Sequence, residues 1–232
     1  MRRYVTVVNI PWACDSESMS TDSADTDPRK PYHHGSLRSA LIEASIALAR
    51  EGGPDRVVLR EAARAAGVSH SAAYRHFADR EALLAEVASF ARNELAAQMR
   101  RRVNRAKDPR GRLRAVGTAY IDFALAEPGL FRTAFTSHPA TSTGREAASP
   151  TAAIADPFDV LGQVLDEAQA AGLLDPRRRP GAEIAAWSAV HGLANLLLDG
   201  PLPTSAAAIK FAQGRVFDLI ERGLLNGGSS RD

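Results

Sequence analysis

Between Leu59 and Phe77 the chain has the residue pattern of a helix-turn-helix, a structure that presents side chains to the bases of DNA. Small residues such as Ala62 predict two closely crossing helices, and Gly67 predicts a turn with left-handed backbone. Ser69 is a residue type that caps helices. The second helix would lie in the major groove, where its first residues reach base edges.

Three residues that follow this cap, His70, Ser71 and Ala72, are candidates for base contacts, and the methyl group of Ala72 suits a thymine methyl. The other candidate DNA contacts are His33, Arg60, Ser69, Tyr74, Arg75, His76 and Arg80, and basic side chains among them can pair with phosphate. The motif taken alone also fits a helix corner in a packed bundle.

Basic side chains are concentrated around this motif. Residues 29–107 carry fifteen basic and eight acidic side chains, although the net charge of the whole chain is only +2. Such a block favours phosphate binding, because Lys and Arg release counterions from DNA, but a solvated surface can have the same charge. The single cysteine, Cys14, has no partner for a disulfide, so we expect a cytoplasmic protein.

The segment from Tyr32 to Leu84 resembles the N-terminal domain of TetR-type repressors. The resemblance is carried by Gly67-Val68-Ser69, Tyr74-x-His76-Phe77 and Asp79-Arg80-Glu81-x-Leu83-Leu84. It implies that Tyr74 and His76 hold the DNA backbone, that Arg80 contacts phosphate, and that Phe77 belongs to the core. Val58 departs from the family pattern, which often has a capping Ser or Thr at this position.

The stretch Trp187-Ser188-Ala189-Val190-His191-Gly192 resembles the Trp, His-Gly signature of a C-terminal domain in one TetR subgroup, the WHG type. Helical spacing places Trp187 and His191 on one face, as ligand contacts or as packed core. Aromatic and imidazole side chains predicted to surround a ligand pocket are Tyr120, Phe123, Phe131, Phe135, Phe158, Trp187 and His191. An aromatic core without a cavity is the alternative.

Apolar residues recur with helical period and no strand pattern is present, so the predicted fold class is all-α. A shorter helix is expected from Leu130 to Phe135, after Pro128-Gly129 ends the preceding one. The predicted organisation is a disordered arm (1–30), a three-helix DNA-binding domain (31–78), a helical ligand-binding and dimerisation domain (79–226, with a connecting helix at 79–103) and a disordered tail (227–232). Residues 137–150 are predicted to be a mobile loop.

The predicted helix that contains Trp187 and His191 is apolar nearly all round, which indicates burial against a second subunit as well as the chain's own core. The last predicted helix has one apolar stripe. These two helices can pair with their symmetry mates in a four-helix bundle. The predicted dimer contacts are Leu193, Leu196, Leu197, Val216, Phe217 and Ile220.

No nucleotide-binding, hydrolase or zinc-protease motif is present, so we predict no catalytic residues, no metal and no cofactor. The resemblance to TetR-type repressors implies a transcriptional repressor that binds a palindromic operator in double-stranded DNA as a homodimer and is released by a small-molecule effector. The long helix from Asp79 is expected to transmit ligand binding. The alternatives are an activator of the same fold, a helical enzyme using His191 with Asp159 or Glu183, and a dimeric scaffold.

Overall fold

The computed structural model describes residues 34–136 and 156–225, and its regular elements there are helical apart from one isolated bridge between Leu174 and Leu225. The all-α fold class is thus confirmed. The α-helices are α1 His34–Gly52, α2 Leu59–Ala65, α3 His70–Tyr74, α4 Arg80–Val103, α5 Pro109–Ala126, α6 Pro128–Ala134, α7 Pro157–Ala170, α8 Ala182–Leu198 and α9 Ala206–Leu224. The arm (1–30), His33, the segment 137–150 and the tail (227–232) lie outside the described residues.

Helix starts are set by short polar side chains and prolines. The Asp79 carboxylate accepts a hydrogen bond from the Ala82 amide at 2.7 Å at the start of α4, as its sequence position predicted. Helix α6 begins at Pro128, two residues earlier than expected. Proline is favoured at this position because the amide of a first helical residue makes no hydrogen bond within the helix, so its absence in proline costs nothing. Only Glu127 therefore separates α5 from α6.

The N-terminal helices pack around a core that includes Leu41, Val57 and Phe77, each nearly or fully buried. The Phe77 ring also lies under the guanidinium of Arg38, whose carbon is 5.2 Å from the ring centroid. Arg38 in turn pairs with Glu86 on α4 at 2.6 Å. The first turns of the long helix are thereby fixed to α1.

Helices α4 to α9 form the larger part of the described chain. Helix α4 packs against α5, α6 and α7, while α8 packs against α5, α7 and α9. The core they share is made of aliphatic and aromatic side chains, including Leu95, Met99, Ile121 and Leu165. None of the helices in the two described ranges has the length and apolarity needed to cross a bilayer.

Helix α6 lies directly on the last turn of α1. A Cβ atom at Gly129 would be 2.0 Å from the carbonyl oxygen of Ala49 and 2.9 Å from that of Arg50, so only glycine fits this contact. At the other end of α6, the guanidinium of Arg92 on α4 donates to the carbonyl oxygen of Ala134 at 3.0 Å. This seven-residue helix is thus held between α1 and α4.

Candidate nucleic-acid interface and ligand site

Helices α2 and α3 form the predicted helix-turn-helix. Gly67 has φ of 68°, the left-handed conformation expected from the sequence, and a side chain there would be strained. The Val68 amide donates to the Ala63 carbonyl at 3.0 Å, which closes the turn. Ala62 and Ala63 are buried where the two helices meet. The chain therefore reverses within a few residues and brings α3 across α2.

Ser69 caps α3, as predicted. Its hydroxyl oxygen accepts a hydrogen bond from the Ala72 amide and lies 3.2 Å from the hydroxyl of Ser71. At the start of α2, Val58 makes no capping hydrogen bond, in agreement with the departure noted in the sequence. The first turn of α3 is consequently the better fixed of the two helix starts.

The predicted DNA contacts differ in accessibility. Tyr74 is 50% exposed, and the edge of its ring meets His70, with 4.8 Å between centroids. The candidates that are exposed are Arg60, Ser69, His70, Ser71, Tyr74 and Arg75. Those that are half-buried are Ala72, His76 and Arg80. The α3 helix and the residue that follows it thus offer hydroxyl, imidazole, phenol and guanidinium groups to solvent.

Arg80 has intramolecular partners that the sequence did not reveal. Its guanidinium donates to the carbonyl oxygens of Val57 at 2.9 Å and Pro54 at 2.7 Å. These bonds tie the first turn of α4 to the segment between α1 and α2. The predicted phosphate contact of Arg80 remains a prediction, and the structure assigns this side chain a positioning role in addition.

Six of the seven predicted pocket residues form one aromatic cluster. The Tyr120 ring centroid is 5.0 Å from that of Trp187 and 5.5 Å from that of Phe131. The other members in ring contact are Phe135, Phe158 and His191. Phe123 is not among them. It borders a separate groove of about 250 Å³, which is also lined by Arg50 and Glu127.

One hydrogen bond lies inside this cluster. The Tyr120 hydroxyl oxygen is 2.7 Å from Nδ1 of His191, so the imidazole belongs to the same site as Trp187 one helical turn away. Burial raises the pKa of Tyr120 and lowers the pKa of His191, which disfavours the phenolate and the imidazolium. The polar pair is therefore uncharged near neutral pH.

Tyr120 and Trp187 also form one wall of a small internal cavity. Its volume is about 30 Å³, which is room for about one water molecule. Phe217 also lines this cavity and packs so closely on α5 that a Cβ atom at Gly117 would be 2.5 Å from its ring. The polar lining is the ion pair of Arg114 with the buried carboxylate of Glu221. A drug-sized ligand therefore requires side-chain movement.

Two family models match the chain, and together they cover both the helix-turn-helix and the aromatic cluster. The model for bacterial regulatory proteins of the tetR family matches residues 41–87. The model for the tetracyclin repressor-like C-terminal domain matches residues 113–216. The chain belongs to the TetR family. As a TetR-family member it is a DNA-binding transcription regulator and not an enzyme, whereas its assignment to the WHG subgroup stays a prediction.

Several solved structures have a fold similar to that of this chain. A protein of unknown function from Rhodococcus sp. RHA1 is 32% identical, with a TM-score of 0.66 over 85% of this chain and 100% of that one. A TetR-family regulator from Marinobacter aquaeolei VT8 is 21% identical, with a TM-score of 0.58 over 83% and 97% of the chains. SmeT in complex with triclosan is 17% identical, with a TM-score of 0.55 over 83% and 93%. Among curated proteins, no significant match is found.

The predicted dimer residues of this TetR protein divide between core and surface. Leu193, Leu197, Phe217 and Ile220 are buried within the subunit, and Leu193 also lines a groove between α8 and α9. Their dimer contacts stay a prediction. Leu196 is 46% exposed and Val216 is half-buried. Other exposed apolar side chains of α8 and α9 are Ile184, Phe211 and Leu219.

Of these three, Phe211 borders a surface groove of about 470 Å³ between α8 and α9. The groove is lined almost entirely by apolar residues, among them Leu196 and Val216. The apolar sequence of α8 predicted burial on two sides but not which residues belong to each. In the described ranges of this TetR protein, no group of three or more His, Cys, Asp or Glu side chains is arranged to hold a metal ion.

Proposed function

We propose that this TetR-family protein is a cytoplasmic repressor that binds a palindromic operator as a homodimer and is released by a small-molecule effector. The observation that carries the proposal is the position of α6. Gly129 at its start lies on the backbone of α1, and Phe131 and Phe135 further along it belong to the aromatic cluster. A ligand that separates these rings moves a helix in direct contact with the DNA-binding part.

Operator binding requires two α3 helices about 34 Å apart, one turn of DNA. A ligand lowers DNA affinity by as much as it prefers the conformation with altered spacing, and such coupling is typically about 1–3 kcal/mol. The sequence interpretation assigned this transmission to α4 alone. The contact between α1 and α6 supplies a second and shorter route. The hydrogen bonds of Arg80 tie α4 to the segment between α1 and α2.

The homodimer is proposed from the exposed apolar face of α8 and α9. Phe211 is 72% exposed and Leu219 is 66% exposed, although both are large apolar side chains on an ordered helix. A second copy of α8 and α9, packed by a two-fold axis, would bury these side chains in a four-helix bundle. The same axis would give the operator its palindromic form.

The first experiment is a salt titration of binding to DNA from immediately upstream of the protein's own coding region. Tyr74→Ala with Arg75→Ala is the test variant, because both side chains are exposed and the Tyr74 ring packs only edge-on against His70. Arg177→Ala removes an equally exposed charge elsewhere and is the control. We expect the test variant to bind weakly, with a salt slope reduced by about 1 for each phosphate that it no longer neutralises.

Equal binding by the wild type and the test variant, on this DNA and on sites from a random-sequence selection, would contradict the operator proposal. A reporter gene behind the selected operator then distinguishes repression from activation. Expression that rises when the protein is removed supports repression, and expression that falls supports an activator of the same fold.

A further inference from the structure

The Tyr120–His191 hydrogen bond fixes which imidazole nitrogen can serve a ligand. Tyr120 is only 2% exposed, and His191 is its hydrogen-bond partner in the part of the chain described. A buried hydroxyl hydrogen without an acceptor is costly, so the Tyr120 hydroxyl donates its hydrogen to Nδ1 of His191. Nδ1 then accepts, and a neutral imidazole must carry its own proton on Nε2.

This Nε2–H group is a donor within an aromatic site. The imidazole centroid is 5.4 Å from that of Phe135 and 5.6 Å from that of Phe131. Among residues 34–136 and 156–225, the structure shows no hydrogen bond to Nε2. Planar rings, the Nε2–H donor of His191 and the indole N–H donor of Trp187 therefore define the chemistry of this site.

The charged groups that line the adjoining cavity, Arg114 and Glu221, are ion-paired, and Arg114 also pairs with Asp218. Glu221 is buried and bound by Arg114, and Arg110 lies 3.4 Å from the same carboxylate. The cluster itself contains no carboxylate, ammonium or guanidinium group. A charged ligand would lose its hydration there without gaining a counterion, which is unfavourable in apolar surroundings.

We propose that the effector is an uncharged, largely apolar molecule with a planar ring and a hydrogen-bond acceptor, and that Nε2–H of His191 donates to that acceptor. Phe135 and Phe158, which are less buried than Tyr120 and Phe131, move aside to admit it. This inference rests on the proposed function in one respect, namely that the cluster is the effector site.

Four naphthalene probes test the proposal, with the full-length protein carrying Trp12→Phe so that Trp187 is its only tryptophan. They are 2-acetylnaphthalene, 2-ethylnaphthalene, 2-naphthoate and 2-naphthylmethylammonium, each titrated against Trp187 fluorescence. The first two have nearly the same shape, but only the ketone has an acceptor. We expect the ketone to bind about tenfold more tightly than the hydrocarbon, the value of one good neutral hydrogen bond. Both ions should bind more weakly than the ketone.

Two variants locate the donor. His191→Phe keeps a ring but has no donor, so it should bind both neutral probes equally. His191→Gln retains an N–H group and should keep part of the preference for the ketone. Circular dichroism melts of each variant show that it is folded.

The proposal is overturned if no probe binds the folded wild type at 1 mM, if an ion binds most tightly, or if the ketone preference survives in His191→Phe. Operator binding measured in parallel separates the two proposals. Normal DNA binding without a ketone preference refutes the ligand class alone. A ketone preference without any DNA binding refutes the repressor proposal and leaves the ligand class standing.

Discussion

Replacing Gly129 with alanine tests whether α6 connects the aromatic cluster to the DNA-binding helices. The added Cβ would be 2.0 Å from the Ala49 carbonyl oxygen, so α1 and α6 must separate by about 1.4 Å to reach ordinary contact. Both obstructing atoms are backbone, and they cannot rotate away. Overpacking of this kind costs about 1–3 kcal/mol, and alanine regains at most about 1 kcal/mol of helix propensity. We expect a net loss of about 2 kcal/mol in the free energy of unfolding.

For a chain of this length, that loss corresponds to a decrease in Tm of about 4–8 °C. Thermal melts at one fixed protein concentration measure it, because association makes Tm concentration-dependent. Operator affinity in the absence of ligand should change in the same variant, since α1 is displaced. Gly223→Ala is the control, as a Cβ there meets nothing within 4 Å and alanine suits its helix. Wild-type Tm and operator affinity in Gly129→Ala would refute the proposed route.

Three further outcomes are expected. Ser69→Ala removes the α3 cap, at a cost of about 1 kcal/mol, and should lower Tm by about 2–4 °C; an unchanged melt would show that the cap contributes nothing. Phe211→Ser with Leu219→Ser should convert the dimer to monomer in light scattering, and a persistent dimer would place the interface elsewhere. Because burial lowers the pKa of His191, the unfolded chain takes up a proton below pH 6.5 that the folded chain resists. Wild-type stability should thus fall from pH 7.5 to 5.5, and fall less in His191→Phe; parallel curves would contradict this.

Local signals in the sequence were sufficient for the helix-turn-helix. Gly67, Ser69 and Asp79 each act through neighbours in the chain, so their positions predicted the turn and both caps. The grouping of Trp187 with His191 also follows from helical spacing within α8. In each of these features the contacting residues are only a few positions apart in the sequence, so residue type and spacing are enough to predict them.

Features that depend on distant segments were not predictable. Arg80 resembles a phosphate contact by position, but its partners are carbonyl oxygens more than twenty residues earlier. Phe217 and Phe211 are both apolar residues of α9, and only the tertiary structure shows that the first is buried and the second exposed. The fit of Gly129 against α1 is likewise set by backbone atoms, which leave no trace in hydrophobic periodicity.

Helix α9 has one face in the cavity wall, through Phe217, and the opposite face in the proposed subunit contact, through Phe211 and Leu219. A rigid helix cannot shift on one face alone, so ligand occupancy and subunit association are linked equilibria. In the proposed dimer, occupancy of one subunit would be transmitted to the other across the two-fold axis, and the binding isotherm would depart from a simple hyperbola. Its apparent midpoint also depends on protein concentration near the monomer–dimer transition.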